Sequence, residues 1–280
     1  MLVGAGCRSS DHLRARWLGY AVQLMTKELP LTMVPPYFRG LIYNNYGACL
    51  RQFKQYSNAI EAFHEAISIY RTLVNNNPAK YNTYLVGTLS NMGLALGNVG
   101  KHDDAVVTYK EALEISTTMS AQDLLLAKTL RNYGFTLTKL NQVSKAAAVR
   151  RQAISYYCNL AQTGNEWTTS LCDALHDYGS SYALLGQHEE AVLAFQESIL
   201  LRHALATRDS EEESKPIRAL HRIAYPLLAL DRHTEANTTA NEAMERNHGK
   251  VLKCRPRAPS FHLDFVCKGV MTTGSLGDSS

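Results

Sequence analysis

Five polar residues recur at one place in a repeating pattern. Asn45, Asn91, Asn132, Asp177 and Arg222 each stand two residues before a small one, respectively Gly47, Gly93, Gly134, Gly179 and Ala224. An asparagine amide donates and accepts hydrogen bonds at once. Three of them in one row are suited to gripping the main chain of an extended peptide without reading its side chains. Helical spacing puts charged neighbours on the same side: Lys128 and Arg131 beside Asn132, Arg218 beside Arg222, and Asp173 beside Asp177. His176 and His221 also share one position of the pattern. The surface so built is mixed in charge, with basic areas suited to acidic groups. Its chemistry is that of binding.

Motifs for bond-making chemistry do not assemble. A phosphate-binding loop needs Gly-x4-Gly-Lys-[Ser/Thr], but Gly100-Lys101 is followed by His102 and Ala95 takes the first glycine's place. His188-Glu189-Glu190 lacks the second histidine of a zinc-protease helix. No Gly-x-Ser-x-Gly elbow occurs, and Gly4 and Gly6 follow no strand. The six cysteines, Cys7, Cys49, Cys158, Cys172, Cys254 and Cys267, form no C-x-x-C pair and no zinc-type cluster with histidine. They are expected to be reduced thiols. Asp103-Asp104 and Glu189-Glu190 read as acids at helix starts, favoured by the helix dipole. The expectation is a binding protein without catalytic activity, metal or cofactor.

The elements that must position these residues follow from the pattern itself. Gly47-Ala59-Ala66, Gly93-Ala105-Ala112, Gly134-Ala146-Ala153, Gly179-Ala191-Ser198 and Ala224-Ala236-Ala243 keep one internal spacing. The steps between copies are 46, 41, 45 and 45 residues. Large residues fill matching slots, as at Tyr46, Met92, Tyr133, Tyr178 and Ile223, and at Leu50, Leu96, Leu137, Tyr182 and Leu227. Apolar spacing of three and four predicts two helices per copy, joined by short turns such as Gly100-Lys101-His102 and Gly186-Gln187-His188. Ser57, Asp103, Ser144 and Thr234 are placed to cap the second helix. Small residues let the two helices approach closely, and copies must stack because one pair cannot bury its apolar face alone. The first helix of each copy then lines the concave side of the stack.

This signature resembles the tetratricopeptide repeat, whose second helix carries A-x3-[FY]-x2-A. Ala59-Phe63-Ala66 and Ala105-Tyr109-Ala112 match fully, and Ala191-Phe195-Ser198 matches with one change. Arg150 and Ala240 occupy the aromatic slot in copies three and five. The copies exceed the usual length of about 34 residues, which is similar to kinesin light chains and to arrays attached to fungal and bacterial signalling ATPases. The resemblance implies an all-α, right-handed superhelical solenoid of about five helix-turn-helix units plus an N-terminal half repeat. It implies a protein or peptide partner in the groove, at Asn45, Asn91, Asn132, Asp177, Lys128, Arg131, His176, Arg218, His221 and Arg222. It also implies, as the alternative, a detached sensor segment of a larger signalling ATPase. The variant that clamps chaperone C-termini needs further Lys, Asn and Arg positions, of which Asn91, Lys128 and Asn132 supply only part.

The expected boundaries are 1–36 for the half repeat or cap, then 37–78, 79–120, 121–165, 166–210 and 211–248 for the copies, and 249–280 for a disordered tail. Ser210-Glu211-Glu212-Glu213-Ser214 reads as a solvated linker, and Pro226 should kink the first helix of copy five. A net charge of +4 with no long Lys/Arg run does not point to nucleic acid. No apolar stretch is long enough to span a membrane, and the start lacks a signal-peptide pattern. The expected setting is cytoplasmic, and the exposed array ends offer a surface for self-association.

Overall fold

The structure is a computed structural model that describes residues 16–17, 19–20, 22, 33–119, 123–164, 167–206 and 216–247. Every regular element there is helical: α1 (Pro36–Gln52), α2 (Tyr56–Asn76), α3 (Pro78–Asn98), α4 (His102–Thr117), α5 (Asp123–Lys139), α6 (Val143–Thr163), α7 (Thr168–Leu184), α8 (His188–Ala206), α9 (Pro216–Ala229) and α10 (His233–Asn247). The expected tail at 249–280, most of the stretch 1–36 and the linker at Ser210–Ser214 lie outside the described residues. The chain divides into two compact units, Met1–Thr136 and Leu137–Ser280, with α5 running across the division.

In the first unit the signature glycines sit where two helices touch. A methyl built on Gly47 would lie 2.7 Å from the Phe63 ring, and one on Gly93 would lie 2.8 Å from the Tyr109 ring. Gly40 meets Tyr70 in the same way at 2.8 Å. Gly47 over Phe63 and Gly40 over Tyr70 fix α1 and α2 as an antiparallel pair, packed in two layers one heptad apart. Phe63, Tyr70 and Tyr109 are fully buried, and burial of a ring such as Phe63 contributes about 1.5–3 kcal/mol. The second layer continues at Val86 and Ser116, both buried. This outer layer accounts for the long repeat, because each helix must run about two turns further to reach it.

The second unit repeats the scheme with α7 between α6 and α8. Gly179 lies against Phe195 and the Ala191 carbonyl, at 3.1 and 3.2 Å from a built methyl. Ala191, Val192, Phe195, Ile199, Leu220, Ile223, Leu227 and Ala236 form one buried cluster across α8, α9 and α10. The aromatic slot of copy three holds Arg150, which is buried and donates from Nη1 to Ser181 Oγ on α7. Helix α9 runs through Pro226 to Ala229; the proline removes the N–H that would bond the Arg222 carbonyl.

Each hairpin turns at one register position, seven residues after the signature residue. Lys54, Gly100, Asn141, Gly186 and Asp231 there have φ of 61°, 82°, 58°, 74° and 56°. The next residue's N–H reaches back five residues, as in Gln55 to the Leu50 carbonyl at 2.9 Å and Lys101 to the Leu96 carbonyl at 3.0 Å. This left-handed cap satisfies the carbonyls at the helix end.

Two expectations are corrected. The turn puts Gln55, Lys101 and Gln142 at the N-cap, none of which makes a side-chain cap bond. Ser57, Asp103 and Ser144 therefore lie inside the first turn, because the cap of the preceding helix fixes where the next begins; Thr234 likewise falls within α10. Cys49 and Cys172 are buried and stand in no disulfide, but Cys158 is disulfide-bonded. Cys7, Cys254 and Cys267 lie outside the described residues.

Candidate functional site

In the first unit α1, α3 and α5 run side by side in the same direction. The Tyr37 hydroxyl donates to that of Tyr84 at 3.0 Å, and Asn91 Nδ2 donates to Asn44 Oδ1 at 3.2 Å, so α1 and α3 meet at two points with one offset. Built methyls on Gly87 and Gly97 of α3 approach Leu125 and Thr136 of α5 at 4.0 and 3.5 Å. Asn45, Asn91 and Asn132 thus lie across three neighbouring helices, and all three are half-buried. Asn44 takes one hydrogen of Asn91, which orients that amide and leaves its carbonyl oxygen and second hydrogen for other partners. The Asn45 and Asn132 side chains make no hydrogen bond among the described residues. Arg131 is half-buried and Lys128 is exposed.

A second row follows one helical turn further along, and the sequence reading did not single it out. Ala48, Leu94 and Phe135 occupy the position just after each signature glycine. Phe135 is 47% exposed, an unusual state for an aromatic ring in a packed helix. Amides beside an apolar row give main-chain hydrogen bonds and side-chain contact together. The signal was available: it is the same register plus three residues, the spacing that shares a helix face.

In the second unit α7 carries Asp177 and His176, both half-buried. The His176 ring stands edge-on to the core ring of Phe195, with centroids 5.4 Å apart, so part of its surface is used in packing. The Asp177 main-chain carbonyl accepts from Ser181 Oγ at 3.2 Å. Asp173 accepts from Arg202 Nη2 of α8. On α9, Arg222 is exposed and Tyr225 is 63% exposed, one turn apart on one face. Tyr225 also meets the His188 ring edge-on at 5.7 Å. The side chains of Arg218 and His221 lie outside the described residues.

Among the described residues no group of three His, Cys, Asp or Glu could hold a metal ion. No helix among them is long and apolar enough to cross a membrane.

A tetratricopeptide-repeat model matches residues 41–73, 86–118 and 173–202. The crystal structure of BtubC (BKLC) from P. vanneervenii is similar with a TM-score of 0.68 at 14% identity, covering 91% of this chain and 97% of that one. A Podosopora anserina putative kinesin light chain with nearly identical TPR-like repeats gives 0.61 at 14% identity, covering 78% and 98%. The MamA protein gives 0.52 at 20% identity, also covering 78% and 98%. At such identities the likeness establishes the fold and nothing finer. No curated protein matches the chain in sequence.

Proposed function

We propose, from the premise that this chain carries tetratricopeptide repeats, that it is an interaction scaffold that holds an extended peptide along the first helices of its hairpins. The observation that carries this reading is the row of Asn45, Asn91 and Asn132, half-buried on adjacent parallel helices, with Asn91 oriented by Asn44. A half-buried amide is dry enough for its hydrogen bonds to count and open enough to be reached. The neighbouring row of Ala48, Leu94 and Phe135 supports an apolar side chain of the same peptide. In this reading the amides fix the main chain and Phe135 sets which residue is preferred.

The test is capture of short synthetic peptides from a displayed library by the purified chain. Replacing Asn45, Asn91 and Asn132 by alanine together removes three main-chain contacts of about 0.5–1.5 kcal/mol each. Affinity for the selected peptides then falls roughly ten- to a thousandfold. An unchanged set of captured peptides with unchanged affinities refutes the groove assignment.

A second mode, self-association, is favoured by Trp17 and Tyr20, three residues apart in sequence, each helical and largely exposed. Sedimentation of Trp17→Ala beside the unaltered chain reads it directly: loss of a dimer supports pairing there, and a monomer in both cases excludes it.

A further inference from the structure

Arg202 occupies a slot in the outer packing layer that other copies fill without charge. It lies seven residues beyond Phe195, as Tyr70 lies beyond Phe63, Ser116 beyond Tyr109 and Tyr157 beyond Arg150. Its side chain is only 6% exposed. Nη2 donates to Asp173 Oδ1, but Nε–H and the Nη1 hydrogens are buried with no acceptor among the described residues. A guanidinium offers a planar fork of donors that matches the two oxygens of a carboxylate. Here only one arm of the fork is used. Asp173, on α7, is the open member of the pair at 38% exposure. Helix α9 touches α7 and presents the exposed Arg222.

We propose that Arg202 is a receptor for a side-chain carboxylate of a bound peptide, and that Asp173 is its internal competitor. An incoming glutamate or aspartate takes the place of Asp173 and engages the fork through both oxygens, filling donors that are otherwise unpaired. The displaced Asp173, already partly open, turns to water. Arg222 attracts the acidic peptide towards this part of the second unit. The partner chemistry is an acidic peptide lying along α7 and α9. The proposal rests on the reading that the first helices hold a peptide, but it uses residues of the second unit only.

The experiment measures fluorescence anisotropy of short amidated Gly/Ser peptides carrying two glutamates, and of matched peptides with glutamines, on the full chain at fixed ionic strength. The expected results are about tenfold tighter binding of the glutamate peptide, a several-fold gain on Asp173→Ala, and loss of the glutamate preference in Arg202→Met. The deciding arm is the double variant. If Asp173 competes for Arg202, its removal gains nothing once Arg202 is gone. If Asp173→Ala gains as much in the Arg202→Met background, Asp173 acts only through its field and the proposal is overturned. Equal binding of the two peptides to the unaltered chain also overturns it. Should Arg202→Met fail to fold by circular dichroism, Arg202→Lys is read instead. Lysine keeps the charge but loses the fork, so the preference drops if the proposal holds and an undiminished preference contradicts it. The library-selected peptides, measured in parallel, separate the two claims: their binding depends on the asparagine row and survives if only the Arg202 proposal fails.

Discussion

Two of the three glycines in helix α3, Gly87 and Gly93, should respond differently to replacement by alanine. Both Gly87 and Gly93 lie within the helix (Pro78–Asn98), so both substitutions gain roughly 1 kcal/mol in helix propensity. Their surroundings differ. A methyl on Gly87 meets only Leu125 Cδ1, at 4.0 Å, an ordinary contact. A methyl on Gly93 meets three atoms of the Tyr109 ring at 2.8, 2.9 and 3.0 Å. That ring is fully buried and lies 5.8 Å from the ring of Tyr133, so it has little room to retreat. Overpacking of this kind costs about 1–3 kcal/mol. The shared propensity gain cancels in the comparison, which leaves Gly93→Ala less stable than Gly87→Ala by about 1–3 kcal/mol. Urea unfolding of the full chain, followed by circular dichroism, reads the difference as a shift in midpoint at constant slope. Equal midpoints, or a Gly93→Ala variant more stable than Gly87→Ala, would refute the view that the signature glycine marks a helix contact.

Two further outcomes follow from local geometry. Lys54 holds φ at 61° in a turn where Gly100 and Gly186 hold the same conformation freely, so Lys54→Gly should raise stability by up to about 1 kcal/mol; a loss of stability would contradict the strain. Burial raises the phenol pKa of Tyr70, Tyr109 and Tyr178 above the ordinary value. A group whose folded pKa is raised contributes stability that is whole below its unfolded value, near 10, and that falls as pH rises past it. The denaturation midpoint should therefore hold steady to about pH 10 and drop beyond it, with tyrosinate absorbance appearing together with helix loss. Full tyrosine titration with intact helices would count against that burial.

The paired-helix fold was legible because close packing leaves a mark in residue size. Where backbones approach, only Gly or Ala fits, and the facing slot needs a large ring, so Gly47 with Phe63 and Gly93 with Tyr109 can be read from spacing alone. The outer layer was less visible, since its fillers change chemistry from copy to copy: Tyr70, Ser116, Tyr157 and Arg202 share a position but not a type. The helix starts were misplaced for a different reason. Ser57 and Asp103 have the right chemistry for a cap, but the left-handed residue at Lys54 or Gly100 sets the boundary first. Within the candidate site the amide row stood out because three asparagines repeat. The apolar row of Ala48, Leu94 and Phe135 did not, because alanine and leucine at helical spacing look like any core stripe until their exposure is known. The ion pair of Asp173 with Arg202 joins residues 29 apart on different helices, and no local pattern announces it.

The side-chain amide resonances of Asn45, Asn91 and Asn132 offer the most direct view of the proposed grip. A library-selected peptide is added to the isotope-labelled chain, and these three resonances are followed through the titration. They should shift together and saturate at the stoichiometric point, with Phe135 ring signals moving alongside. Saturable binding of the peptide that leaves all three amides unmoved would place the partner elsewhere on the molecule.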